Sequence, residues 1–296
     1  MKNITDIKHR IKSISDTRKI TSAMETISVV KMQKALSRYE SNKAYFETVR
    51  KTISNIVLYT KGVEHKVFSS VKENGKEAFI VIASDKGLAG GFNHAVLEFA
   101  RSQMLGAREP HLFAVGQMCC EFFASRKIAA DVAFADASYN PTISEAAEMS
   151  EKLYKMFIGG VIDGAYIIFT EMAGHGKMSP KKIRLLPFER AEVVHENEVS
   201  AGEEFALHEL EYEPSAEEVL SLLIPQYLTG MIYGSLIQSS ACEHSSRHSA
   251  MNSATTNASR LLESLELEYN RARQESVTGE LSEIITASMG GYGNCE

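Results

Sequence analysis

The chain has 296 residues, 44% of them hydrophobic and 24% charged, and a formal net charge of −6. That balance excludes a disordered chain and leaves enough apolar mass for more than one structural unit, while the overall acidity argues against a nucleic-acid partner. No uninterrupted apolar run approaches the roughly 20 residues of a membrane span, so the chain is expected to be soluble.

The first residues, Met1 to Ile7, have polar helical spacing and lack the apolar core of a signal peptide. From Ile4 the apolar residues Ile7, Ile11 and Ile14 recur every three or four positions, the seam of a helix packed on another helix. Ile20, Met24, Ile27, Leu36, Tyr39, Val49, Ile53 and Ile56 continue it less regularly, with no proline or glycine before Gly62. The pattern predicts one basic helix over residues 1–60, roughly 80 Å long at 1.5 Å per residue.

The middle of the chain, residues 76–195, alternates short apolar runs with helical stretches. Strands are expected at residues 78–84, 111–116, 129–134 and 165–170, and helices at 92–105, 117–126 and 143–159. This order predicts an inserted Rossmann-like open α/β domain, flanked by polar connectors at 62–76 and 195–213. A second long helical segment covers 214–288, with Met251, Ala254, Ala258, Leu261, Leu265 and Ala272 as its seam. Pro225 is expected to end or kink its first part, so that the main rod begins near Gln226 and reaches roughly 95 Å. Two such helices joined by a domain form an antiparallel coiled coil. Residues 289–296, with three glycines, read as a flexible tail.

The sequence Ser84-Asp85-Lys86-Gly87-Leu88-Ala89-Gly90-Gly91-Phe92-Asn93 follows the first expected strand and opens a helix, the place where a phosphate cradle can sit. It lacks both the Gly-Lys-Ser/Thr ending and the Gly-x-Gly-x-x-Gly spacing, which favours a structural tight turn over a ligand site. No nucleophile elbow is present. The cysteines Cys119, Cys120, Cys242 and Cys295 and the nine histidines have no metal-ligand spacing. Neither a catalytic residue nor a metal or cofactor is expected. Arg271, Arg273, Gln274, Thr278 and Glu280 crowd the end of the second long helix; they read as an exposed polar helix face or, alternatively, as a partner interface whose polar contacts let it slip.

Thr17-Arg18-Lys19-Ile20-Thr21-Ser22-Ala23-Met24-Glu25, with Lys31-Met32-Gln33-Lys34, resembles the opening signature of the gamma subunit of F-type ATP synthases. Tyr269-Asn270-Arg271-Ala272-Arg273-Gln274-Glu275-Ser276-Val277-Thr278-Gly279-Glu280 and the following Leu281 to Ile285 resemble its closing one. Between them, residues 84–93 are similar to the family's glycine turn, Leu185-Leu186-Pro187 to its end-of-domain motif, and Tyr212-Glu213-Pro214 to the entry of its second rod.

The resemblance implies a non-catalytic central-stalk rotor that passes torque between a membrane ion-translocating ring and a catalytic hexamer of alpha and beta subunits. Met24, Arg247, Gln274, Thr278 and Glu280 match the family's contacts with the hexamer. Tyr212 and Glu213 match its foot, beside the epsilon subunit and the c-ring. The implied location is peripheral, on the cytoplasmic face of a bacterial inner membrane. The competing reading is an α/β enzyme that binds a nucleotide at residues 85–93 and dimerises through its terminal helices.

Overall fold

The computed structural model describes residues 4–60, 65–68, 75–172, 177–188 and 212–290. The chain forms two compact units, Met1–Ser28 with His248–Glu296 and Val29–Arg247. Helix α1 (Ile4–Tyr59) and the last helix, α5 (Ala216–Gly290), each contribute to both.

In the larger unit, α1 is followed by a 3₁₀ turn at Lys66–Phe68 and by β1 (Glu77–Ile82), α2 (Phe92–Met104), β2 (Pro110–Val115), α3 (Gln117–Ser125), β3 (Val132–Phe134), α4 (Ile143–Ile158), β4 (Gly164–Met172) and β5 (Met178–Leu186). The sheet order is β3-β2-β1-β4-β5. The first four strands pair in parallel and β5 runs antiparallel to β4, with Ile167 opposite Ile183.

Alternate residues of each strand enter different cores, as the two-residue side-chain period requires. Ala78, Ile80 and Ile82 of β1 face a cluster with Val49, Ile53 and Ile56 of α1, Met149 and Leu153 of α4, and Leu220, Ile224, Leu228 and Ile232 of α5. Phe79 and Val81 face the other side, against Val96 and Leu97 of α2 and Phe123 of α3. Helices therefore cover both faces, which is why the strands read as continuous apolar runs.

The expected strands and helices up to β4 are present, with the third strand reduced to three residues. Strand β5 was not expected, because Lys181, Lys182 and Arg184 hide its alternation at the sheet edge. Pro225 does not end the last helix, which continues through it as 75 residues. A mid-helix proline costs about 3 kcal/mol, but Leu220 and Ile224 before it and Leu228 and Ile232 after it all lie in one core. At about 1.5–3 kcal/mol each, their burial outweighs the proline. The Pro225 carbonyl accepts from Ser150 Oγ and Thr229 Oγ1, each at 2.7 Å. One stretch of α5 is apolar enough to cross a membrane by length and composition, yet 56% of it is buried in the protein, the mark of a core helix. The helix also takes in Met289 and Gly290, the start of the expected tail; residues 291–296 and most of both connectors lie outside the described residues.

In the smaller unit the two helices run antiparallel: Thr255 Oγ1 donates to Thr21 Oγ1 at 2.8 Å, and His248 lies 3.8 Å from Glu25. On α1 the inward positions are Ile7, Ile14, Thr21 and Ser28, and on α5 they are Met251, Ala258, Leu262 and Leu265. The α1 series and Met251, Ala258 and Leu265 on α5 keep the seven-residue spacing of a coiled coil, with Leu262 at the intervening position. The seam keeps most of the expected positions, Ile4, Ile7, Ile11, Ile14 and Met24 on α1 and Met251, Ala254, Ala258, Leu265 and Ala272 on α5, and departs from them at Ile20, Ile27 and Leu261. Thr21 and Ser28 are inside, while Ile20 and Ile27 are 60% and 54% exposed. Leu261 is 52% exposed and its neighbour Leu262 is buried.

Candidate coupling surface and glycine turn

The smaller unit presents apolar side chains outward. Ile20 and Ile27 on α1, and Leu261, Leu267, Val277, Leu281, Ile284 and Ile285 on α5, are each at least half exposed. The Thr21–Thr255 contact sets an antiparallel register that brings Ile4, the first described residue of α1, level with about Ala272 on α5. Beyond that point α5 has no described helix beside it in this unit, and from Arg273 to Thr286 every residue except Ser276 is exposed. Gln274 and Thr278 are four residues apart on one face of this tip. Glu280 accepts from Ser276 Oγ at 3.4 Å. Gly279 has nothing within 4 Å of where a Cβ would stand, so its cost is the helix-propensity loss of about 1 kcal/mol alone.

The other residues singled out from the sequence are dispersed. Met24 is half-buried on α1, in the smaller unit. Tyr212 is half-buried against the main core of the larger unit, and burial raises its phenol pKa. Glu213 is exposed. Arg247 is 6% exposed and makes its contacts within the larger unit. Its Nη1 lies 2.7 Å from Glu243 Oε1, one helical turn away, and its Nη2 donates to the carbonyls of Lys86 and Gly87 at 2.9 and 3.1 Å. Arg247 thus grips the glycine turn.

The turn itself is held from several sides. Ser84 and Asn93 bridge its ends through Asn93 Oδ1, which accepts from Ser84 N at 3.0 Å and from Ser84 Oγ at 2.9 Å. The Asp85 carboxylate accepts from the Tyr139 N–H and, at 3.1 Å, from the Gln117 N–H at the start of α3. Burial raises the Asp85 pKa, and those two backbone donors oppose the shift. Gly116, just before α3, has φ +89, and a Cβ there would stand 2.3 Å from the Ala83 carbonyl oxygen, so only glycine fits. Outside the turn, Lys31 Nζ sits 3.2 Å and Lys86 Nζ 4.6 Å from the Tyr139 ring centroid, and the Lys31 contact lowers the tyrosine pKa.

These contacts leave little for a phosphate. Within the turn the Ser84 N–H is taken by Asn93 Oδ1, and the Phe92 N–H at the start of α2 by the Ala89 carbonyl. A separate cleft of about 330 Å³, lined by Tyr39, Phe46, Arg50, Phe169, Tyr227 and Tyr233 among others, shares no residue with the turn. No cluster of three or more metal-ligating side chains occurs among the described residues. Sequence reasoning missed the Glu243–Arg247 pair and Ser246 as attachments of the turn. The available signal was the i, i+4 acid–arginine spacing in an otherwise small-residue stretch of helix.

A glycine turn whose polar groups are committed to internal attachment, in a chain whose two long helices also expose apolar side chains, fits a mechanical rather than a chemical class of protein. The profile of the family described as ATP synthase matches residues 3–289. The ATP synthase gamma chain of Acetivibrio thermocellus is 38% identical over 288 residues, covering 96% of this chain and 98% of that protein. A gamma chain of Acetobacterium woodii described as sodium ion specific is 34% identical, covering 96% of this chain and 97% of its own. A chain of the Euglena gracilis mitochondrial ATP synthase, solved as OSCP/F1/c-ring in rotational state 3, aligns with a TM-score of 0.66 at 14% identity over 99% of this chain and 97% of its own. A central stalk/c-ring structure from Tetrahymena thermophila gives a TM-score of 0.60 at 23% identity, over 79% of this chain and 99% of the other. The chain belongs to the ATP synthase gamma-chain family, and its place is that of a non-catalytic central-stalk subunit.

Proposed function

We propose that this chain is the rotor shaft that carries torque between a membrane ion-translocating ring and a hexamer of alpha and beta subunits, in the direction of ATP synthesis or hydrolysis. The observation that carries the proposal is a local exchange in the seam: Thr21 and Ser28 are buried while Ile20, Ile27 and Leu261 are more than half exposed. Exposed apolar side chains at this density mark a surface that another protein covers. A turning asymmetric shaft supplies each catalytic site with different contact energy in turn, and differential contact is the only means by which a partner shifts a conformational equilibrium.

In this reading residues 1–60 and 214–288 are the shaft, and 76–195 the foot. Met24, Gln274, Thr278 and Glu280 face the hexamer, and Tyr212 and Glu213 lie where the epsilon subunit and the c-ring attach. The Arg247 contribution is indirect, through the turn that it holds. The location is the cytoplasmic face of a bacterial inner membrane, reached through the complex. Co-expression with alpha and beta subunits from the same source tests this. One copy per hexamer, with hydrolysis dependent on its presence, is the expected result; a hexamer that excludes the chain, or hydrolyses ATP equally without it, refutes the proposal.

A nucleotide-binding enzyme is the competing reading, and the commitment of the Ser84 and Phe92 N–H groups of the turn to internal acceptors speaks against it. Nucleotide binding by the isolated chain that Gly90→Val abolishes would reinstate it.

A further inference from the structure

The larger unit joins α5 to the α/β domain at two levels. Lower on the helix, from Leu220 to Ile237, the contact is apolar and belongs to the main core. Apolar burial is strong but non-directional; it resists separation much better than sliding or twisting. About ten residues further along, roughly 15 Å up the helix axis, the contact changes character. Ser246 Oγ donates to the Ala89 carbonyl at 2.7 Å, and Arg247 Nη2 to the carbonyls of Lys86 and Gly87 at 2.9 and 3.1 Å. Two consecutive α5 side chains thus hold three carbonyls within four residues of the turn.

The guanidinium that does this is itself fixed. Glu243 is fully buried, 2.7 Å from Arg247 Nη1, and its other oxygen lies 3.5 Å from Ser138 Oγ. His244 Nδ1 lies 3.3 Å from Arg247 Nη1. The turn needs such holding, since Leu88 has φ +62 without being glycine and is 67% exposed, so its own side chain anchors nothing.

We infer that Glu243, Ser246 and Arg247 form a clamp that fixes the rotational register of α5 on the α/β domain, making Arg247 a positioning residue for torque transfer rather than a surface contact. The inference rests on the shaft reading. A planar guanidinium suits the role because it spans two carbonyls and a carboxylate at once, which a lysine ammonium does not do with the same geometry. Directional bonds made at the end of a long side chain act away from the helix axis and so resist rotation of α5, while their separation of about 15 Å from the apolar bed resists its tilting.

The test uses the whole ATP synthase in inverted membrane vesicles, measuring ATP hydrolysis and ions pumped per ATP for the wild type and for Ser246→Ala, Arg247→Lys and Arg247→Met. A wild-type complex whose hydrolysis is independent of this chain overturns the shaft reading itself. Given wild-type coupling, Arg247→Met is expected to keep hydrolysis per assembled complex while ions pumped per ATP fall severalfold, with Arg247→Lys and Ser246→Ala in between. Exchange of the Phe92 N–H, which bonds to the same Ala89 carbonyl, should quicken roughly tenfold in Arg247→Met. Should Arg247→Met not assemble, the two milder variants decide. Wild-type pumping ratios in both of them, or in an assembled Arg247→Met complex, overturn the clamp.

Discussion

His244 gives the larger unit a predictable sensitivity to acid. The imidazole is 2% exposed, and its Nδ1 faces Arg247 Nη1 at 3.3 Å. Since a guanidinium only donates, Nδ1 accepts and the ring is neutral with its proton on Nε2. Burial, with the nearby charges of Arg247 and Lys31, lowers the pKa from 6.5 to about 4. A histidine depressed in this way leaves the unfolded chain binding the extra proton as pH falls, so stability is complete above pH 6.5 and is lost progressively towards the folded pKa. The linkage amounts to about 2 kcal/mol at pH 5 and about 3 kcal/mol at pH 4. Glu243 and Asp85, whose pKa values burial raises, act in the opposite direction over part of this range. The measurement is therefore a difference. Urea unfolding of the wild type and of His244→Gln, which keeps an acceptor for Arg247, is followed from pH 7.5 to pH 4.5. The wild type should lose about 2 kcal/mol more than the variant by pH 5. Parallel profiles would refute the neutral buried imidazole and the tautomer assigned to it.

Gly116→Ala places a Cβ 2.3 Å from the Ala83 carbonyl oxygen at φ +89, and should cost about 3 kcal/mol or more, lowering Tm by at least ~6 °C; an unchanged Tm sinks the explanation. Gly279→Ala meets nothing within 4 Å and should stabilise the tip of α5 by about 1 kcal/mol, slowing amide exchange nearby roughly fivefold. Exchange that stays unchanged would mean that helix propensity does not limit the tip. The double variant Leu281→Ser with Ile284→Ser removes two side chains that are 54% and 65% exposed. It should reduce self-association of the isolated chain in sedimentation while shifting Tm by less than ~2 °C, since surface changes usually stay within about 0.5 kcal/mol; a larger drop would show that these residues are packed in the free subunit.

The α/β domain was legible because strands buried on both faces leave unbroken apolar runs, and 78–84 and 165–170 are such runs. Strand β5 was not, since a cationic edge strand looks like a loop. The coiled coil was legible as two helices and for most of its seam, but not at Ile20, Ile27 and Leu261. Hydrophobic periodicity assigns Ile20 and Ile27 to the inside because it supposes that apolar residues are buried within their own chain. At Ile20 and Ile27 that supposition fails, and Thr21 and Ser28 occupy the seam instead. Met24, Gln274, Thr278 and Glu280 came from the resemblance. Arg247 came the same way, but its contacts with the turn, like those of Ser246, depend on a fold that brings residues about 160 positions apart into contact.

The strand order 3-2-1-4-5 has its switch between β1 and β4, the point where doubly wound domains ordinarily hold a ligand beyond the carboxyl ends of their strands. In this chain the turn after β1 meets protein instead. Asp85 supplies the negative charge that a phosphate would bring to the first N–H of α3. Ser246 and Arg247 supply donors to the turn carbonyls. Ala89 and Phe92 pack on Cys242 of the same helix. The crevice that elsewhere recognises a nucleotide here recognises α5. A ligand site is a place where a fold concentrates unmet backbone polarity. Filling it with a helix converts a binding site into an attachment, in which two α5 side chains hold the carbonyls of Lys86, Gly87 and Ala89.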